Sequence, residues 1–173
     1  ALYLGIYLAE RSKSKFKDEF ITFSEVPRMC KLVGNTLNQR VNNLKDAHWG
    51  YSTDLNAVFK LLLPKAKEFN LAQEDLPEAI VVLSDMEINH FGNVPISNQT
   101  ISDFEAAGYK APKLVFWDLR HTYDNVPVKA DQKGTTLVSG LSAAVMKTVL
   151  SGKVTTPFDM LIETLNVPKY DYL

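Results

Sequence analysis

Two oxygen-bearing positions frame the chemistry this sequence could do. Asp85 follows the apolar run Ala79-Ile-Val-Val-Leu83 and Ser84. Its carboxylate is therefore expected at the carboxyl edge of a buried strand, where desolvation favours pairing with a cation. Thr53 lies in Trp49-Gly-Tyr-Ser-Thr-Asp54, a loop whose glycine permits a close approach and whose hydroxyls precede a long helix. A strand-end carboxylate and a loop hydroxyl are hard donors, the chemistry that suits Mg²⁺ or Mn²⁺ with water completing the shell. Each position also has a plainer role: Asp85 as a helix cap or hydrogen-bond acceptor, and Ser52, Thr53 or Asp54 as the cap of the helix that follows. Two protein groups alone would hold a cation poorly.

Other chemistries find less support. His48, His90 and His121 are scattered, without H-x-x-x-H or Cys/His metal spacing, which leaves them surface or structural roles. The sequence contains no G-x-x-x-x-G-K-[ST], G-x-G-x-x-G or G-x-S-x-G element, the usual phosphate loops and nucleophile elbow. Asp85 with Glu87 could form an acid/base pair, or equally one ligand and one solvated charge. Trp49 and Trp117 lack interleaved basic residues and read as core or rim aromatics rather than a stacking platform. Lys13, Lys15 and Lys17 read as a solvated turn.

The elements that must position these residues are legible as runs and periods. Leu2, Leu4, Ile6, Leu8 and Ala9 form an opening segment that periodicity leaves open between buried helix and strand. Phe20, Ile21 and Phe23 mark a short strand, and residues 29–33, set off by Pro27 and Gly34, mark its hairpin partner. Leu37, Val41 and Leu44 follow helical spacing. Residues 54–70 predict the clearest helix, because Leu55, Val58, Phe59, Leu62 and Ala66 share one face.

Three β-branched or apolar runs then alternate with helical stretches. They are Ala79-Ile-Val-Val-Leu83, Lys113-Leu-Val-Phe-Trp117 and Thr135-Thr-Leu-Val138, with a helix at 101–107 stopped by Gly108 and others at 142–150 and 157–165. This order predicts an α/β domain with a Rossmann-like open, mainly parallel sheet flanked by helices and joined by right-handed crossovers. Ligands in such sheets bind where strands end. The polar strand ends are Ser84-Asp85, Trp117-Asp118 and Ser139-Gly140, which makes Asp118 and Ser139, with Ser52, rim candidates around the pair Thr53 and Asp85.

At 173 residues, 46% hydrophobic and 23% charged, the chain has the content of one domain spanning residues 1–173. A formal net charge of -1 argues against a broad surface for nucleic acid or an anionic membrane. A single cysteine, Cys30, forms no internal disulfide and fits the cytoplasm; it reads as a buried structural thiol. No apolar run approaches the roughly 18 residues of a membrane span. The apolar opening lacks the basic flank and cleavage site of a signal peptide.

A family resemblance enters through these same residues. A long helix entered through Gly50-Tyr-Ser-Thr-Asp-Leu55, then a buried strand ending Leu83-Ser-Asp85, resembles the second and third elements of the metal-ion-dependent adhesion site of von Willebrand factor type A (vWA) domains. Further along, Phe20-Ile-Thr-Phe-Ser24, Ile80-Val-Val-Leu-Ser-Asp-Met86, Ala107-Gly-Tyr109, Leu114-Val-Phe-Trp-Asp-Leu-Arg120 and Leu137-Val-Ser-Gly140 are similar to the C-terminal vWA-like region of a family of uncharacterised proteins from plants, fungi and viruses. That family is related in its vWA part to the Ro ribonucleoprotein. The resemblance implies a vWA-like fold and a cation at the carboxyl edge of the sheet, its shell completed by an acidic group of a protein partner. It implies Thr53 as a direct ligand and Asp85 as a ligand through water.

The first element of that site, Asp-x-Ser-x-Ser at the end of an opening strand, has no counterpart in these residues, and the first residue is not methionine. The resemblance places that strand between the ones expected at Phe20 and at Ala79. The expectation is a C-terminal fragment of a longer protein, whose sheet here lacks its first strand. On this reading the chain is a binding module and not an enzyme. The alternatives are a Mg²⁺-dependent phosphotransfer or phosphoester enzyme using Asp85 on a similar sheet, and a structural scaffold with no occupied site.

Overall fold

The structure, a computed structural model, describes residues 1–22, 24, 26–47, 49–50, 54–84, 97–119 and 135–140, with single positions 149, 162, 165 and 166. The opening segment is a helix, α1 (Leu2–Arg11). It is amphipathic twice over. Leu2, Ile6 and Ala9 pack with Leu32, Val41 and Leu44, while Leu4 and Leu8, one turn apart on another flank, pack with Val81, Leu83, Val115 and Trp117. Such two-sided burial removes the single clean period that would have separated helix from strand.

Strands β1 (Glu19–Ile21) and β2 (Met29–Lys31) form an antiparallel pair with Phe20 opposite Cys30. Cys30 is half-buried rather than buried, because the hairpin lies at the border of the core, and its Sγ lies 3.9 Å from the Arg28 carbonyl oxygen. Helix α2 (Leu37–Lys45) opens with a capping box between Thr36 and Gln39. Arg40 on this helix reaches Glu10 Oε1 at 3.0 Å and Asp18 Oδ1 at 3.1 Å, tying α2 to α1 and to the entry of β1.

Helix α3 (Leu55–Glu68) follows its predicted stripe, with Leu55, Val58, Phe59, Leu62 and Ala66 all buried. Pro64 lies on its exposed side, where water can take the Lys60 carbonyl that loses its helical partner. Both α3 and α4 (Asn98–Ala106) end in the same hydrogen-bonded cap. Leu71 N–H donates to the Ala66 carbonyl and Asn70 N–H to that of Lys67; Tyr109 N–H donates to Phe104 and Gly108 N–H to Glu105. The turn needs one left-handed residue, Asn70 at φ 45° and Gly108 at φ 81°.

Strands β3 (Ala79–Ser84), β4 (Lys113–Asp118) and β5 (Thr135–Ser139) make a parallel sheet in that spatial order. The domain is thus α/β, a three-stranded parallel sheet flanked by helices. Ile80 and Val82 of β3, with Leu114 and Phe116 of β4, face α3 and α4; Val81, Leu83, Val115 and Trp117 face α1 and Val149. Most of the predicted helices at 142–150 and 157–165 lie outside the described residues. Val149, Ile162 and Leu165 are helical positions. Among the described residues no helix is long and apolar enough to cross a membrane.

The two sheets share their covering layers without sharing a ladder. Helix α1 packs on both from one side, and α3 does so from the other, with Phe16 and Met29 joining its cluster. Among the described residues β1 pairs with β2 and β3 with β4, never β1 with β3. Between them lies a cavity of about 1100 Å³.

Candidate functional site

The carboxyl ends of the three parallel strands are level. Register pairs Ser84 with Asp118 and Asp118 with Ser139, so the strand ends singled out in the sequence form one row across the sheet. Asp118 is 6% exposed and Ser139 is exposed. The row is pinned by backbone and ring contacts. Gly140 N–H donates to the Asp118 carbonyl at 3.1 Å, and the fully buried Trp117 donates its indole N–H to the Gly140 carbonyl at 2.8 Å. Gly140 turns the chain out of β5 at φ 84°, a left-handed conformation that a side chain would strain. Trp117 is thus a core aromatic whose polar atom fixes the rim, while Trp49 stacks on Phe20 at 6.2 Å and donates to the Leu44 carbonyl.

Two helix starts accompany this row. The crossover from β3 leaves at the carboxyl end and re-enters at the start of β4, so α4 begins toward the carboxyl edge. Asp54, the true cap of α3, accepts from Asn56 N–H at 2.9 Å and Ala57 N–H at 3.2 Å. Asn56 Oδ1 then accepts from Ser97 N–H at 2.9 Å and from Thr100 Oγ1 at 3.0 Å. Thr100 has one hydroxyl proton and gives it to Asn56, so in its 2.8 Å pair with Ser97 it is Ser97 Oγ that donates. Ser97 Oγ also accepts from Thr100 N–H, capping α4. This neutral clip locks the first turn of α3 to the first turn of α4. An N-cap at Ser97 could be read from Ser97-Asn-Gln-Thr100; the partnership with Asn56, 41 residues away in sequence, could not.

Of the expected site residues, Asp118 and Ser139 are brought together. Ser52, Thr53 and Asp85 lie outside the described residues, as do His48, His90 and His121. Among the described residues no group of three His, Cys, Asp or Glu side chains is gathered to hold a metal. What the row does offer is a buried carboxylate residue next to a hydroxyl residue, oxygen donors of the kind a hard cation takes.

Comparison with known proteins follows the same span of chain. Over 169 residues the sequence is 31% identical to Uncharacterized protein L728 of Acanthamoeba polyphaga mimivirus. The aligned part is 95% of this chain and 30% of the viral protein, so the chain spans about a third of the length of that relative. No solved structure matches it. Matched over residues 1–166, the chain belongs to the family described as Domain of unknown function (DUF7788).

Proposed function

We propose that this chain is a cytoplasmic protein-interaction module of the vWA type, not an enzyme, which engages its partner at the carboxyl edge of the parallel sheet through a divalent cation. The observation that carries the reading is the level row of Ser84, Asp118 and Ser139 at that edge, with Asp118 buried. Hard oxygen donors at a strand-end row suit Mg²⁺ or Mn²⁺. Thr53 and Asp85 would hold the cation, with Ser52, Asp118 and Ser139 on the rim. Once bound, the cation supplies fixed positive charge that attracts an acidic side chain of a protein partner. Trp117 and Gly140 keep the rim in register, and the Asn56 clip holds the starts of α3 and α4 together. A net charge of -1 fits a protein partner better than nucleic acid or an anionic membrane. The cytoplasmic assignment is supported by the single, unpaired Cys30.

The test is a calorimetric titration of Mn²⁺ into the intact protein and into Asp85→Ala. Loss of a ligand should weaken binding at least about tenfold. Equal affinity in the two proteins would refute the site.

A further inference from the structure

Strand β2 presents an open backbone edge on the side away from β1. Leu32 N–H donates to the Asp18 carbonyl at 2.7 Å and Thr22 N–H donates to that of Arg28 at 3.1 Å, so the peptide groups of Arg28, Cys30 and Leu32 face β1. Peptide groups alternate along a strand, which directs the N–H and C=O groups of Met29 and Lys31 outward. Among the described residues no hydrogen bond closes these four groups. The next outward donor is taken, since Val33 N–H donates to Asn43 Oδ1 at 3.1 Å. The open run is therefore short and sharply bounded.

Charge along this edge is one-sided. Lys31 is exposed and stands opposite Glu19 in register. From α3, Lys65 Nζ approaches the same carboxylate only to 3.9 Å, too far for a hydrogen bond, and contacts Met29 Sδ, a weak acceptor, at 3.1 Å. Lys15 lines the same hollow as Glu19 and Lys65. Three lysines thus gather about one carboxylate. Asp18, one residue along and so on the other face, is held by Arg40 at 3.1 Å. Val26, three residues ahead of β2, and Val33, two past it, are 71% and 61% exposed and offer apolar contact beyond both ends. Charged side chains on an edge keep like edges apart. Pairing with a second copy would bring Lys31 of one chain near Lys31 of the other, whereas an acidic strand meets complementary charge.

We propose that the outer edge of β2, at Met29 and Lys31, docks an extended acidic segment of a partner protein as an added strand, its carboxylates on the face of Lys31 and Lys65. Main-chain hydrogen bonds fix the register of the segment, and the ammonium groups select its charge. No cation takes part. The surface is additional to the carboxyl-edge row and stands or falls independently of it.

Fluorescence polarisation with a fluorescein-labelled hexapeptide, Glu-Val-Glu-Val-Glu-Val, tests the edge, run in EDTA so that no cation site contributes. Binding should saturate, and the peptide Lys-Val-Lys-Val-Lys-Val should bind at least about tenfold more weakly. Lys31→Glu should lose the same factor. Lys31→Pro removes one outward N–H and spares the β1 ladder, so it should bind about fivefold more weakly than Lys31→Gln. Amide exchange followed by NMR locates the contact in the unsubstituted protein and stays decisive if a variant fails to fold. With saturating peptide, the Met29 and Lys31 amides should slow at least about tenfold, while Cys30, already bonded to β1, stays unchanged. Absence of saturable binding up to about 1 mM peptide overturns the proposal. Binding that leaves Met29 and Lys31 exchange untouched, or equal affinity of Lys31→Pro and Lys31→Gln, does the same. Protection of both amides in a dimer of the free protein would make a second copy the occupant and also overturn it.

Discussion

Among the described residues, the parallel sheet has two outer strands of opposite character. On β5, Leu137 and Ser139 are exposed while Thr135, Thr136 and Val138 are half-buried, the mixed surface of a strand that meets solvent. On β3 every residue from Ala79 to Leu83 is apolar, and the strand is covered by helices on both faces. Its composition matches that of β4, the strand that is central in this sheet. Side chains thus record the place for which a strand is built. By that record β5 belongs at an edge and β3 belongs inside.

The largest expected effect sharpens how firmly the β3 side is packed. Phe59 of α3 is fully buried, meets Phe104 edge to face at 6.2 Å and lies in one cluster with Val82 and Phe116. Phe59→Ala should cost about 3–5 kcal/mol in urea unfolding. A value well below that range would mean that α3 relaxes toward the cavity between the sheets, and that the β3 side is looser than its composition implies.

A direct contrast comes from placing the same charge on both outer strands. Leu137→Lys puts an ammonium where the side chain is already 41% exposed, and stability should change by no more than about 0.5 kcal/mol. Val81→Lys puts it against Leu4, Leu8 and Trp117, where a charge without a partner should cost about 2–4 kcal/mol. Two equally mild variants would make β3 an ordinary edge and end the comparison.

The strands and the long helix were legible because each carries one clear signal. Ala79-Ile-Val-Val-Leu83 and Lys113-Leu-Val-Phe-Trp117 read as buried strands and are β3 and β4. The stripe from Leu55 to Ala66 gave α3, and Gly108 marked the stop of α4. Helix α1 stayed open between helix and strand because it is buried on two flanks, which blurs its period. At the candidate site the strand ends are readable in the sequence only as separate positions. Their level register depends on the ladders that pair Ser84, Asp118 and Ser139, which are long-range. The Asn56 clip was illegible for the same reason, since nothing local to Asn56 marks it as the acceptor for a cap on another helix.

That clip gives the smallest of the three effects and bears on the edge that β3 and β5 have in common. Asn56→Ala removes the acceptor of Ser97 N–H and of the Thr100 hydroxyl, while Thr100 is only 4% exposed. Leaving buried donors without an acceptor costs about 1–3 kcal/mol. Asn56→Asp keeps the oxygen, and with it both hydrogen bonds, so its loss should be smaller. The pair separates two reasons why the starts of α3 and α4 stay together. If Asn56→Ala unfolds at the same urea concentration as the parent, apolar packing of Phe59 on Phe104 is sufficient and the polar clip only sets register. If it falls by the expected amount while Asn56→Asp recovers most of the loss, the starts of α3 and α4 are held together by hydrogen bonds that span both helices.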